Sequence, residues 1–113
     1  MEYSIRKIED NDREKVKNLI RDEWGSEQVI SRGKIHNVST LDGFLAVSKQ
    51  DKSIVGILTL SVAGKECEIV TMNSFLARFG IGTSLLDHAI ENARNQHCSR
   101  VWFVSTNDNI EAL

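Results

Sequence analysis

From Tyr3 to Ile8 (Tyr-Ser-Ile-Arg-Lys-Ile), Tyr3 and Ile5 alternate with polar neighbours, the period of a half-buried strand. Val16, Leu19, Ile20 and Trp24 then recur at helical spacing, and the run stops before Gly25. Asn11 or Asp12 stands where a side-chain oxygen caps such a helix. From Gly25 to Asp42 no period emerges; Val29, Ile30, Ile35, Val38 and Leu41 are spaced to cover a core edge, and the segment reads as a short helix or turn followed by loop. Phe44–Ser48 and Ile54–Val62 are apolar runs separated by Gln50-Asp-Lys-Ser53, which predicts an antiparallel hairpin. After a second turn at Ala63-Gly-Lys65, Cys67–Met72 is the next antiparallel strand. A helix opens at Gly80-Ile-Gly82, with Leu85, Leu86, Ala89, Ile90 and Ala93 on one stripe and Asp87, His88, Glu91 and Asn95 outside it. Ser99–Ser105 holds four consecutive apolar residues, as in a strand buried on both faces. Cys67 to Ser105 is therefore expected to be a right-handed parallel crossover. Thr106, Asn107 and Asn109 are capping residues for a further helix starting at Ile110-Glu-Ala-Leu113.

This order predicts an α/β (α+β) fold with a mixed sheet: antiparallel strands one to four, then a parallel crossover from strand four through a helix to strand five. The 113 residues make a single domain, 1–113. With 41% hydrophobic and 27% charged residues, both near globular averages, an ordered chain is expected. No apolar run approaches the roughly 18 residues of a membrane span, and the N-terminus lacks a basic n-region and apolar h-region, so neither a membrane segment nor a signal peptide is expected. Cys67 and Cys98 form neither a metal-ligand spacing nor a disulfide framework; no metal is expected, and the cytoplasm is the expected location. A net charge of −2 leaves no footprint for nucleic acid. The absence of proline removes cis-proline turns and polyproline ligand segments.

The glycine-rich turn carries the chemistry. Gly80 and Gly82 let a ligand approach the main chain, and the following helix turns unpaired N–H groups and the positive end of its dipole outward. That combination suits a phosphate or pyrophosphate, with Arg78 placed to add a charge-assisted contact. The bland reading is a tight, closely packed turn. No Gly-x-x-x-x-Gly-Lys-Ser/Thr is present, which disfavours a P-loop, and a dinucleotide fingerprint would need glycine where Leu85 stands.

Strand, helix, antiparallel meander, Gly-x-Gly turn, helix, strand: in this order the whole chain resembles the GNAT family of acyl-CoA-dependent N-acetyltransferases, most strongly from Glu68 to Leu113. Gly80-Ile-Gly82 and the Thr-Ser-Leu-Leu after it match the second half of the family's Gln/Arg-x-x-Gly-x-Gly/Ala motif and its helix start. The Gln/Arg position falls on Ala77, a departure, with Arg78 beside it. Asn109 and Ala112 fit the family's Asn-x-x-Ala, and the chain looks like small bacterial members carrying Thr-Asn-Asp-Asn. The resemblance implies acetyl-CoA as co-substrate and an amine acceptor that attacks directly. The implied cofactor contacts are Phe79, Gly80, Ile81, Gly82 and Thr83 with Arg78 at the pyrophosphate, Asn109 at the pantetheine arm, and a backbone N–H among Thr71, Met72 and Asn73 at the thioester carbonyl. It also implies that the family's final hairpin is missing, so that the domain is C-terminally incomplete and strand 99–105 has an exposed apolar edge; this edge is expected to be covered by another chain, through swapping or sheet pairing in a homo-oligomer, the alternative being that the sequence omits part of the natural protein.

An attacking amine must be neutral, which calls for a base near the acetyl group. Glu68 matches a position where some family members carry a catalytic glutamate; Glu66 is the fallback, and a solvent-facing strand carboxylate is the alternative. The family's tyrosine acid would lie on the helix after strand five, and the only tyrosine, Tyr3, reads as sheet packing. His36 reads as a surface histidine with an acceptor contact as the alternative, Cys67 as a core residue, Cys98 as part of a helix-to-strand turn, and Trp24 as core or a border of the acceptor cleft. Arg32-Gly-Lys34 reads as a solvated loop, the alternative being an attraction for an acidic acceptor or a CoA phosphate. Two further functional readings remain: a non-catalytic module that binds CoA or a protein partner, and a nucleotide-binding regulator that needs only the anion site.

Overall fold

The computed structural model describes residues 2–26, 28–31 and 34–103. In chain order the elements are β1 (Tyr3–Lys7), a 3-10 turn at Asp10–Asp12, α1 (Arg13–Trp24), β2 (Gln28–Ser31), β3 (Lys34–Asn37), a 3-10 turn at Val38–Thr40, β4 (Asp42–Ser48), β5 (Ile54–Ala63), β6 (Glu66–Ser74), α2 (Ile81–Asn95) and β7 (Arg100–Phe103). A five-stranded sheet has the order β1-β4-β5-β6-β7. Its first three pairings are antiparallel, and β6 with β7 is parallel, in the register Glu66↔Arg100 to Ile69↔Phe103. This is the mixed sheet and crossover that the hydrophobic order predicts.

Each face of the sheet carries one helix. On one, Ile81, Leu85, Ala89 and Ala93 of α2 pack on Phe44, Ala46, Leu58, Leu60, Cys67, Ile69 and Met72. On the other, Val16 and Ile20 of α1 pack with Val38, Leu45, Ile57 and Val70. The start of α2 can lie flat on the sheet because β5 presents Gly56 there: a Cβ at that position would fall 2.5 Å from Ile81 Cγ2 and 3.1 Å from Leu85 Cδ1.

The aperiodic segment departs from the helix-or-loop expectation. β2 and β3 pair antiparallel as a separate two-stranded ribbon, with Val29↔His36 and Ile30↔Ile35 in register. Four-residue strands of mixed polarity give too short a pattern to announce themselves; the ribbon is held by tertiary contact, with Val29 in the α1-side core and Ile35 exposed. The further helix expected at 110–113, with Asn109, lies outside the described residues.

Asp12 occupies the cap position of α1, yet its carboxylate turns backward instead of capping the helix. It accepts two hydrogen bonds from the Arg6 guanidinium, 2.7 and 2.9 Å, and one from the Glu9 N–H, 2.8 Å, fastening β1 to the start of the helix. The Arg6 hydrogen bonds hold the acid down, from an ordinary 3.8 to about 2. Because the folded value lies below the unfolded one, this stabilisation is complete above about pH 4 and is lost as pH falls toward 2. Asp12→Asn is expected to destabilise the fold at pH 7 by about 1–2 kcal/mol, less than a fully buried charged pair because the Arg6 side chain is half open to solvent. Urea unfolding at stepped pH checks this: the stabilities of the two proteins should converge between pH 4 and 2.

Candidate active site

The site is built around a break in β6. Leu60 pairs with Ile69 and Thr59 with Thr71, so Val70 is an extra residue, a β-bulge. Before it, Cys67 and Ile69 face α2; after it, Met72 does. Strict alternation would have turned Met72 to the α1 side and Thr71 and Asn73 away from it. The bulge instead gathers Glu68, Thr71 and Asn73 on the α1 side. Thr71 Oγ1 lies 2.6 Å from Thr59 Oγ1 in a fully buried hydroxyl pair, and Asn73 Oδ1 accepts a 2.8 Å hydrogen bond from the Trp24 indole at the end of α1. Trp24 is thus half-buried beside this polar line, and Met72, one of the expected cofactor contacts, has its side chain in the core.

The backbone of the same stretch offers donors on its other edge. Phe75 N–H bonds to Val55 O at 2.9 Å, so alternation turns the N–H groups of Met72 and Ser74 away from β5. That is the edge along which pairing with β7, among the described residues, stops at Ile69↔Phe103.

Beyond β6 the chain turns into α2 through Arg78 (φ 70°) and Gly80 (φ 71°), both left-handed. Gly80 takes this conformation freely; Arg78 holds it against a steric penalty, as strained residues at ligand sites often do. Gly80 is the cap residue of α2, and no side chain bonds to the helix start. The first intrahelical bond recorded there is Ser84 N–H to Gly80 O, 2.9 Å, leaving the N–H groups of Ile81, Gly82 and Thr83 to point out of the helix end. They border a cavity of about 90 Å³ that also includes Ser74, Leu76, Ala77 and Arg78. Phe79 is exposed beside it. Tyr3 does more than pack on the sheet: its hydroxyl donates to Phe79 O at 2.9 Å and meets Ser84 Oγ at 3.0 Å, tying β1 to the turn.

Glu68 is not a solvent-facing carboxylate. Its side chain is 12% exposed, and Oε1 lies 3.4 Å from Nε2 of His36. His36 in turn is buried rather than on the surface, because the β2–β3 register puts it on the same side of the ribbon as Val29, facing the sheet. Glu68 Oε2 is buried without a hydrogen-bond partner. Glu66, on the same side, is more open and lies 3.7 Å from Arg100. Burial, with a smaller contribution from Cys98, pushes the Cys67 thiol up to about 11, so it is no thiolate nucleophile at neutral pH. Sequence reasoning missed the tie that Tyr3 makes to the turn and expected His36 at the surface, with an acceptor contact only as the alternative; both are placed by long-range pairing that no local pattern reports.

Strand pairing, bulge and glycine-started helix together define an acetyltransferase fold. N-acetylglutamate synthase from Neisseria gonorrhoeae, solved with coenzyme A and N-acetyl-glutamate, is similar with a TM-score of 0.71 and 25% identity, over 95% of this chain and 26% of that one. The sequence matches the acetyltransferase (GNAT) family over residues 5–113, and the chain belongs to that family. Among its relatives in Bacillus subtilis (strain 168), YdhI is 38% identical over 90 residues, 80% of this chain and 56% of YdhI. YxbD is 36% identical over 98 residues, 87% of this chain and 61% of YxbD. The chain therefore spans between half and two thirds of the length of these curated relatives.

Loss of the Tyr3 hydroxyl should loosen the turn without unfolding the sheet. Tyr3→Phe is expected to speed amide hydrogen exchange at Ser84, whose N–H bonds to Gly80 O, by about fivefold, the equivalent of about 1 kcal/mol for one net hydrogen bond, while exchange in β5 is unchanged.

Proposed function

We propose that this chain binds acetyl-CoA and supports transfer of its acetyl group to an amine, by direct attack of the amine on the thioester. The observation that carries the reading is the uncapped start of α2 at the end of the bulged strand, with Arg78 beside it. Three unpartnered N–H groups, a helix dipole and a guanidinium fit a pyrophosphate. Family membership supports the same reading, as does the similar N-acetylglutamate synthase solved with coenzyme A.

In this proposal Ile81, Gly82 and Thr83 hold the pyrophosphate through their N–H groups, with Gly80 and Phe79 shaping the approach. The N–H of Met72, between Thr71 and Asn73, faces the edge along which the thioester would lie and stabilises the charge that develops on its carbonyl oxygen. Acetyl-CoA, when bound, supplies an acyl group already activated as a thioester. Glu68 takes the proton that the acceptor ammonium must lose before its nitrogen can attack; its unpartnered Oε2 is an acceptor atom in want of a donor. The C–N bond then forms as the C–S bond breaks, CoA leaves as its thiolate and takes up the proton that the acylated nitrogen sheds, and no protein nucleophile is needed. The reading extends to assembly: a second copy pairs along β7, and a single monomeric species in sedimentation velocity across a wide concentration range would remove that part.

Among the described residues no helix is long and apolar enough to cross a membrane.

Calorimetric titration separates this reading from a nucleotide-binding one. Acetyl-CoA and CoA are expected to bind more tightly than ATP; tight ATP binding without CoA binding would overturn the assignment. In a thiol-release assay over a panel of amines, Glu68→Gln is expected to lower kcat by about 10²–10⁴-fold with acetyl-CoA affinity within twofold of the parent, the range for loss of a general base. Unchanged turnover would remove Glu68 from the mechanism.

A further inference from the structure

The ribbon β2–β3 makes a contact that covering the sheet alone does not require. Val29 of β2 sits in the α1-side core, and its cross-strand partner on β3 is His36, only 4% exposed. An apolar side chain would have continued the core there. Instead an imidazole stands with Nε2 3.4 Å from Glu68 Oε1. Neither His36 Nε2 nor Glu68 Oε2 has a hydrogen-bond partner, and buried polar atoms without partners are rare because each has given up water for nothing in return. Around Glu68 the neighbouring strands offer Ser61 on β5 and Trp102 on β7, while the adjacent carboxylate, Glu66, has Arg100 at 3.7 Å. The histidine therefore stands within ion-pair distance of one oxygen of one carboxylate, with its Nε2 still to find a hydrogen-bond partner.

We propose that His36 is the positioning residue of Glu68: with Nε2 protonated, it holds Oε1, fixes the carboxylate rotamer, and leaves Oε2 as the oxygen that meets the acceptor's N–H. The ribbon β2–β3 is then part of the catalytic apparatus and not a cover over it. This rests on the reading of Glu68 as the base. It assigns no proton transfer to His36 itself; its work is geometric, since a base must sit within hydrogen-bond reach of the proton it removes.

The test uses His36→Leu, His36→Gln, Glu68→Gln and the double variant His36→Leu/Glu68→Gln, each first shown to be folded by urea unfolding. His36→Leu should lower kcat/KM for the acceptor at least tenfold, with KM for acetyl-CoA within twofold. His36→Gln, whose amide N–H can reach the same oxygen, should recover most of the loss, which a filler of space or a proton carrier would not. In the Glu68→Gln background His36→Leu should have no further effect. Activity of His36→Leu within twofold of the parent, failure of Gln to rescue, or a full multiplicative loss in the double variant overturns the proposal while leaving Glu68 as base. Unchanged activity of Glu68→Gln identifies the other failure, that of the base reading. If the chain turns over none of the amines, the unfolding constants of the parent, His36→Leu, Glu68→Gln and the double variant decide: at least fivefold coupling between the two positions supports the pair, and additive effects overturn it.

Discussion

Side chains along a strand alternate, and the candidate site depends on the one place where β6 does not. With Val70 inserted opposite the step from Leu60 to Thr59, the strand keeps Cys67, Ile69 and Met72 on α2 and turns Glu68, Thr71 and Asn73 toward α1. Without the extra residue, the second half of the strand would send Thr71 and Asn73 into the α2 core and Met72 toward Trp24. The polar atoms would be buried without the Thr59 hydroxyl and the Trp24 indole that now satisfy them. The bulge is thus a condition of folding as well as of chemistry: it is the register at which both faces of the sheet stay apolar where they meet a helix and polar where they meet a partner.

The glycine turn is fixed from three directions. Gly56 lets Ile81 and Leu85 sit close to the sheet, Tyr3 reaches across from the edge strand to Phe79 O and Ser84 Oγ, and the Phe75 N–H continues the β5 ladder to Val55 O. A loop of exposed residues would otherwise be free to wander, and a cradle made of backbone N–H groups binds only if those groups are already convergent. Here the convergence is set by packing of the sheet and not by the glycines themselves. The glycines permit the turn; Tyr3 and Gly56 locate it.

Most of this architecture was legible in the sequence because it rests on local patterns. The alternation around Tyr3, the hydrophobic stripe of the Gly80 helix, the turn residues at 50–53 and 63–65, and the apolar run after Ser99 each report an element, and their order leaves few topologies. Glu68 could be singled out by resemblance, and the cradle by its glycines. What stayed hidden depends on residues far apart in the chain. The ribbon of β2 and β3 has no period of its own, so His36 looked like a surface residue until its pairing with Val29 turned it inward. Tyr3 looked like packing because its partners are 76 and 81 residues away. Asp12 looked like a helix cap because a cap is a local motif, whereas the Arg6 guanidinium that claims its carboxylate comes from the neighbouring strand.

The proposed chemistry divides the molecule along the sheet. The cradle belongs to the α2 end of β6, and the carboxylate belongs to the α1 face, so an acyl group held at the cradle side and an amine arriving at the carboxylate would meet across the strand, near the bulge. Everything that touches the acceptor would then come from the α1 side: Trp24, the ribbon with His36, and the turn at Val38–Thr40. These pieces are not loose. The guanidinium of Arg13, in the first turn of α1, donates to the carbonyl of Leu41 and lies 3.7 Å from Asp42, so the helix holds the entry to β4. The cofactor half of such a site is constrained by backbone geometry and tolerates few solutions, whereas the acceptor half is assembled from short, aperiodic segments pinned by single side chains. That asymmetry is why the sequence carries a reading of the proposed acyl donor and none of the acceptor.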